Sequence, residues 1–197
     1  MSNHTYKINE IFYSLQGEGT NTGMAAIFVR FSGCNLRCPF CDTDFMEGEN
    51  MTAQEIVAKC IGYGCHNIIL TGGEPTLQVD AELVELFHRD DFYVCIETNG
   101  THPVLGGVDY ITCSPKIEFS KNAQLAIDFC NELKVVYNGK NDMKRYDNIH
   151  CVDRYLQPCD TGDPIENRNI IKKCVRYIKE HPEWKLSLQT QKIINIR

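Results

Sequence analysis

The stretch "MAAIFVRFSGCNLRCPFC" at residues 24–41 joins an apolar, β-rich run to a loop that carries three cysteines. Residues 24–31 have the composition of a buried strand. Cys34, Cys38 and Cys41 follow its carboxyl end with the spacing C-x3-C-x2-C. Because parallel α/β folds gather their chemistry at the carboxyl ends of strands, this stretch indicates both a fold class and the place of a site.

The rest of the chain repeats this order of strands, helices and polar loops. Further β-rich runs lie at 67–70, 92–96, 108–112, 133–137, 154–157 and 185–189. Thr52 and Glu55 form a capping-box signature at the start of one helix. Two more helical patterns fit 79–89 and 165–180. Helices that follow strands predict an α/β fold with a parallel sheet, in a single domain over 1–197. This length is too short for eight βα units, so we expect a truncated, open (partial) TIM-type barrel of parallel strands with helices outside.

Polar or glycine-rich motifs follow five of the predicted strands. They are the cysteine loop, "TGGEP" (71–75), "ETNG" (97–100), "SPK" (114–116) and "QPCD" (157–160). Since the carboxyl ends of parallel strands meet at one rim, we expect these motifs to surround a single site. "GEGTNTG" (17–23) precedes a strand and lacks the G-K-[ST] ending, so we reject a phosphate-binding loop there.

Composition narrows the compartment and the partners. The first ten residues have neither the basic nor the apolar part of a signal peptide, and no stretch is apolar enough to span a bilayer, so we expect a cytoplasmic protein. Eleven cysteines, an odd number, without an export signal favour reduced or metal-bound thiols. A net charge of −6 gives no basic surface for a phosphate backbone, so a small substrate is favoured over nucleic acid.

Three interpretations compete for the cysteine loop. Structural zinc takes four protein ligands, and neither a second cysteine pair nor a histidine pair supplies the fourth here. Three cysteines that merely lie close together would be ordinary core residues, as we expect of most of the others. An iron–sulfur cubane explains the spacing best, because a tight loop reaches three irons and leaves the fourth open to an outside ligand.

The cysteine spacing, with Phe40 before the last cysteine and "TGGEP" after the next strand, resembles the signature of radical S-adenosylmethionine enzymes. The resemblance implies a [4Fe-4S] cluster on Cys34, Cys38 and Cys41 whose open iron chelates S-adenosyl-L-methionine. An external electron donor is then needed to form the 5′-deoxyadenosyl radical. The cofactors carry the hard chemistry, and the protein orients them.

The same resemblance implies the contacts to S-adenosylmethionine, with Phe40 near the adenine and Gly73 near the methionine amine. The cofactor-binding residues that it implies are Phe40, Cys41, Asp42, Gly73, Ser114, Pro115, Lys116, Gln157, Pro158, Cys159 and Asp160. Each also has a plainer interpretation as a turn, a core ring or an ordinary loop residue.

A narrower resemblance rests on "SLQGEG" (14–19), "CDT" (41–43), "TGGEP", "SPK", "QP" and the terminal "SLQTQK" (187–192). Together these motifs are similar to the radical enzymes that contract 6-carboxy-5,6,7,8-tetrahydropterin to 7-carboxy-7-deazaguanine, with loss of ammonia, on the way to deazapurines such as queuosine. The substrate-binding residues that this resemblance implies are Leu15, Gln16, Gly17, Glu18, Arg30, Thr71, Gln191 and the final carboxylate on Arg197. Arg30 suits the substrate carboxylate, because the planar guanidinium fork matches a carboxylate bidentately.

The resemblance also implies a magnesium ion and a second copy of the chain. Thr43 is the implied magnesium ligand, and substrate oxygens and water would complete the octahedron. Gln191 stands in "QTQK" where these enzymes have "QTHK", and a glutamine side chain donates only a neutral hydrogen bond there. Residues 184–190 read as a strand, so we expect the C-terminus to be ordered next to the substrate. A homodimer is expected from the resemblance alone.

Two other functions share part of this pattern. An activating enzyme for a glycyl-radical protein has the same cluster motif but needs a macromolecular partner, and "SLQGEG" and "CDT" argue against it. A non-catalytic iron–sulfur electron carrier would need neither "TGGEP" nor Arg30. Formation of a deazapurine from the carboxypterin would distinguish all three.

Overall fold

The strands form one nine-stranded sheet in a computed structural model, which describes residues 4–41 and 43–197. The strands are β1 Tyr6–Leu15, β2 Ala25–Phe31, β3 Glu49–Met51, β4 Asn67–Gly72, β5 Tyr93–Thr98, β6 Tyr110–Cys113, β7 Phe129–Tyr137, β8 His150–Pro158 and β9 Trp184–Leu186. Their order in the sheet is β3-β1-β2-β4-β5-β6-β7-β8-β9. From β2 onward each neighbour is parallel, whereas β1 is antiparallel to β2 and to β3. The predicted parallel, open barrel is therefore confirmed.

Three helices form close to the predicted positions, and a fourth, short helix near the C-terminus was not predicted. They are α1 Ala53–Ile61, α2 Ala81–Arg89, α3 Pro164–Glu180 and α4 Thr190–Ile193. The capping box of α1 is present, because Thr52 accepts from the Glu55 amide and Glu55 accepts from the Thr52 amide. Asp80 caps α2, so the predicted helix over 79–89 starts two residues late. None of the helices in the described part of the chain is both long and apolar enough to cross a bilayer.

The helices cover one face of the sheet and leave the other face for a site. Ile56 of α1 and Phe87 of α2 are fully buried against the first half of the sheet, and Cys174 of α3 is fully buried against the second half. Because side chains alternate along a strand, Arg30 and Lys134 point to the opposite, inner face. The inner face carries the polar residues.

The sequence analysis missed β1 and the three-residue β3, and it predicted β9 too long. β1 alternates buried apolar residues with exposed and charged ones, and its register with β2 shifts between Ile8 and Glu10, so it lacks a continuous apolar run. The predicted strand over 185–189 ends at Leu186. Residues after it turn inward instead, because Ser187 accepts from the Gly19 amide and donates to Gln157.

The loop between β1 and β2 crosses the open side of the barrel. The Thr20 amide donates to Glu132 on β7 at 2.7 Å, and the Thr20 hydroxyl lies 3.2 Å from that of Tyr155 on β8. Gly19 has a φ of +65°, and a Cβ there would fall 2.0 Å from a Glu132 carboxylate oxygen. Glycine is therefore required where this loop meets the far strands.

Candidate active site

A cavity of about 270 Å³ opens at the carboxyl ends of the parallel strands. The predicted residues among its lining are Glu18, Arg30, Cys34, Cys38, Phe40, Cys41, Thr43, Thr71, Gly73, Ser114, Lys116, Gln157, Pro158, Cys159 and Asp160. Predicted residues outside the lining are Leu15, Gln16, Gly17, Pro115, Gln191 and Arg197. Asp42 lies outside the described residues. The motifs at the five strand ends thus meet at one rim.

The cysteine loop is held from both sides by backbone hydrogen bonds. Gly33, with a φ of +87°, donates its amide to the Phe45 carbonyl, and the Cys41 amide donates to the Cys38 carbonyl. Burial raises the pKa of the Cys34 and Cys38 thiols. All three thiols of the loop are unpaired and line the same cavity.

The donor set of this loop fits a cubane cluster. Among the described residues, no three His, Cys, Asp or Glu side chains are close enough to hold a single metal ion. A cubane presents its irons at separate corners, so its cysteine ligands stand further apart than those of one ion. Three thiols from one short loop are the type and number of donors that a cubane with one open iron would take.

The "TGGEP" turn joins the cysteine loop to the end of β5. A Cβ on Gly73 would fall 1.8 Å from the Gly33 carbonyl oxygen, so the two loops touch through backbone alone. Glu74 is fully buried and accepts from the Thr98 hydroxyl and the Asn99 amide, each at 2.7 Å. These charge-assisted bonds fix the geometry of the rim.

A buried group of charges lies on the inner face below the rim. Lys134 donates to Glu18 at 2.6 Å and to Glu97 at 3.4 Å. Glu97 also accepts from Gln16 at 3.0 Å and from the Thr71 hydroxyl at 3.1 Å. Burial alone would raise the pKa of Glu18, but the charge and hydrogen bond of Lys134 lower it to about 2.

Sequence reasoning missed Lys134 and Glu97 as site residues. Lys134 lies inside the apolar run of β7, where it was read as part of a strand. A charged residue in a buried strand is rarely found without a partner, and this was the available signal. Glu97 begins the "ETNG" motif, which the sequence analysis placed at the rim without assigning a role.

The C-terminal segment contacts the site through Glu18 and the preceding loop. The side-chain amides of Gln189 and Gln191 donate to one oxygen of Glu18, at 3.0 and 3.1 Å. The Thr190 amide and hydroxyl both donate to the Gly17 carbonyl. Gln191 therefore approaches the site through Glu18, although it is not part of the cavity wall.

Arg30 and Thr43 lie side by side at the rim. The Arg30 guanidinium donates to Glu10 at 2.9 Å and to the Thr43 hydroxyl at 3.2 Å, and it packs over the Phe12 ring. Arg197 also pairs with Glu10, and its carbonyl accepts from Ser14 of β1. The chain terminus thus lies against β1, next to the arginine.

Several of the predicted cofactor-binding residues also line the cavity. Lys116 donates to the backbone and side-chain oxygens of Ser114, and burial lowers the pKa of this lysine. Phe40 packs edge-on against Phe119, with ring centroids 4.5 Å apart. Asp160 accepts from the Asn167 amide and from Lys192. Phe40 belongs to the cysteine loop, and Ser114, Lys116 and Asp160 line the same cavity as that loop.

Comparison with known proteins places this site among radical enzymes. The model of the radical SAM superfamily matches residues 28–115. A 7-carboxy-7-deazaguanine synthase of Bacteroides thetaiotaomicron is 48% identical over 97% of this chain and 98% of its own length. The synthase of the same name from Burkholderia multivorans is 41% identical over 98% of this chain and 99% of its own.

A solved structure has the same fold. The crystal structure of QueE from Escherichia coli superimposes with a TM-score of 0.76 and 25% sequence identity, and it covers 94% of each chain. Thus the sequence similarity and the structural similarity extend over nearly the whole chain.

Proposed function

The chain belongs to the 7-carboxy-7-deazaguanine synthase family of the radical S-adenosylmethionine superfamily, and we propose that it contracts 6-carboxy-5,6,7,8-tetrahydropterin to 7-carboxy-7-deazaguanine with loss of ammonia. The observation that carries this proposal is the union of three free thiols, an arginine and a partly buried acceptor, Glu18, in one cavity. A pterin presents hydrogen-bond donors on its aminopyrimidinone edge and carries one carboxylate, so it needs acceptors and a cation.

The rim with the cysteine loop suits the two cofactors. Cys34, Cys38 and Cys41 would hold the [4Fe-4S] cluster, which with S-adenosylmethionine supplies the radical that starts the reaction. Gly73 lets the "TGGEP" turn pack against the backbone of the cysteine loop, where a side chain would collide. The hydrogen bond from Lys116 to Ser114 would direct the lysine side chain toward a polar part of the cofactor. The chain's part in the chemistry is to orient both molecules and to exclude water.

The inner face suits the substrate. Glu18 is a charged acceptor at the bottom of the cavity, and Thr71 adds a hydroxyl next to it. Arg30 would take the substrate carboxylate at the rim. Thr43 would ligate Mg²⁺ beside it, with substrate oxygens completing the shell. The contact between Arg30 and Thr43 supports this arrangement, because both would then meet the same end of the substrate.

The partners of the reaction follow from its chemistry. An external electron donor of low potential is required, and we propose a homodimer in the cytoplasm as the working form. The reducing surroundings of that compartment suit a protein whose cysteines are all free thiols among the described residues. The synthase relatives match nearly the full chain, which favours this function over an activating enzyme or an electron carrier.

One incubation tests the proposal. Reconstituted protein, a reductant, S-adenosylmethionine, Mg²⁺ and the carboxypterin should together yield 7-carboxy-7-deazaguanine and ammonia. Omission of the pterin should leave only slow, uncoupled formation of 5′-deoxyadenosine. Formation of 5′-deoxyadenosine with no deazapurine, under conditions in which the B. thetaiotaomicron relative is active, would contradict the proposed substrate.

A further inference from the structure

Three carboxylates surround one lysine on the inner face of the barrel. Lys134 on β7 is 4% exposed, and Glu132 on the same strand is 2% exposed. Glu18 reaches Lys134 from the loop after β1, and Glu97 reaches it from β5. Other titratable groups packed around this set are Tyr110 on β6, Lys116 after β6, and Asp153 and Tyr155 on β8. Within this set, the Lys134 ammonium is surrounded by the carboxylates of Glu18, Glu97 and Glu132.

The acceptor sites of Glu18 are mostly occupied. A charged carboxylate has about four lone-pair sites. One oxygen of Glu18 accepts from Gln189 and Gln191, and the other accepts from Lys134. Glu18 therefore keeps about one open acceptor site. Since Glu18 lines the cavity, this site is available to a ligand.

The acceptor sites of Glu97 are occupied to the same extent as those of Glu18. One of its oxygens accepts from Gln16 and Lys134, and the other accepts from the Thr71 hydroxyl. About one acceptor site remains, and Glu97 also lines the cavity. Lys134 thus bridges two carboxylates that each offer one acceptor to the same space.

The charge of Glu18 depends on the Lys134 ammonium. Burial lowers the pKa of Lys134, but Glu18, Glu97 and Glu132 outweigh burial and raise it, so the ammonium persists at neutral pH. In return the pKa of Glu18 is about 2. Without the ammonium, burial would raise the pKa of Glu18, and its carboxyl group would retain a proton to higher pH.

We propose that Lys134 is a positioning residue, which bridges Glu18 and Glu97, keeps Glu18 charged, and so selects a ligand edge that carries two neighbouring N–H donors. This inference rests on the proposed function, in which the amino group and ring N–H of the pterin supply those donors. Lys134 itself acts only through the two carboxylates. A protonated Glu18 would offer a donor where the ligand also presents one, and that mismatch weakens binding.

The test replaces the charge and keeps the volume. For the parent protein, the KM for the carboxypterin should show no titration of the site between about pH 6 and about pH 8.5. For Lys134→Met the KM should be about 10- to 100-fold higher at the acidic end and should fall as the pH rises, because the proton on Glu18 then leaves. A KM for Lys134→Met that equals the parent's at every pH would overturn the proposal.

Two control variants separate position from folding. Lys134→Arg retains the charge and should restore the flat pH profile, whereas a titrating profile in it would count against the proposal. Lys185→Met is matched, because Lys185 on β9 is level with Lys134 across Tyr155 but is exposed, pairs with Asp153 and lies over the Tyr155 ring. It should leave KM unchanged. Iron content and uncoupled 5′-deoxyadenosine formation show that each variant is folded and loaded.

A ligand-side experiment needs no variant at all. The analogue of the carboxypterin that lacks the exocyclic amino group should bind the parent holoenzyme about 100-fold more weakly by calorimetry, because one buried acceptor loses its donor. Equal affinity would overturn the proposal. If instead the unmodified carboxypterin binds but no deazapurine forms, the proposed function is refuted and the role of Lys134 is still supported. The two failures are therefore distinguishable.

Discussion

Substituting Gly73 by alanine should separate the cysteine loop from the "TGGEP" turn. The added Cβ would lie 1.8 Å from the Gly33 carbonyl oxygen and 2.5 Å from the Gly33 carbonyl carbon. Real Cβ contacts are essentially absent below 3.0 Å, so the two loops must move apart by about 1.2 Å. The backbone fixes the position of the new Cβ, and the atoms that it meets are backbone atoms of Gly33, so no side-chain rotation can relieve the collision.

The size of the effect follows from that displacement. Overpacking of this kind costs about 1–3 kcal/mol. For a chain of this length, about 1 kcal/mol lowers Tm by about 2–4 °C, so the loss is about 2–12 °C. A shift of about 1 Å in a positioning loop also reduces turnover about 100-fold. We therefore expect a modest loss of stability and a much larger loss of activity.

The assay compares two glycine variants of the cluster-loaded protein. Gly106→Ala is the control, because a Cβ there meets nothing within 4 Å and the backbone φ of Gly106 is not positive. It should retain Tm, iron content and the rate of 5′-deoxyadenosine formation. Gly73→Ala should lose rate and S-adenosylmethionine affinity. If Gly73→Ala binds S-adenosylmethionine and reacts like Gly106→Ala, the close approach of the two loops has no functional meaning.

The other predictions concern the cluster, the magnesium ion, the substrate arginine and the chain terminus. Cys38→Ala should lose the visible absorbance of the cluster, whereas Cys60→Ala, in the buried face of α1, should keep it; retention in both would remove Cys38 from the cluster. Thr43→Ala should shift the magnesium titration of turnover to higher concentration with unchanged iron content, and an identical titration would leave Thr43 as a partner of Arg30 only. Arg30→Lys should raise the KM for the pterin about tenfold without changing uncoupled 5′-deoxyadenosine formation, since a point charge does not reproduce a guanidinium fork. Removal of residues 193–197 should also raise that KM, and unchanged kinetics would show that the terminus does not contact the substrate.

The sequence predicted the rim of the site better than its floor. The rim consists of loops at strand ends, and each of these carries a recognisable motif, such as the cysteine loop or "TGGEP" at 71–75. The floor is built by single side chains that alternate along strands. Lys134 and Glu97 meet there from β7 and β5, which are separated by β6 in the sheet. Local patterns contain no signal for such a meeting, because only the tertiary fold brings those strands to one interior.

The first strand was missed for a different physical reason. Tyr6–Leu15 joins the sheet antiparallel, so one face is half exposed and its composition alternates instead of forming an apolar run. The C-terminal strand was predicted too long because "KLSLQ" has the right alternation. Ser187 leaves the ladder to bind Gly19 and Gln157, and these bonds depend on a loop that starts far away in sequence.

The position of the C-terminus follows from the openness of the barrel. In the described sheet, β9 and β3 are the edges, and β9 has only three residues, so it leaves the side of the barrel toward β1 without strand pairing. Buried polar groups along such an opening must find other partners. The loop after β1 and the segment after β9 supply them to each other, through Thr190 to Gly17 and through Gln189 to Glu18. Because Glu18 also binds Lys134, closure of the barrel and orientation of the acidic floor depend on the same residue. A change at the end of the chain should therefore act on substrate affinity through Glu18.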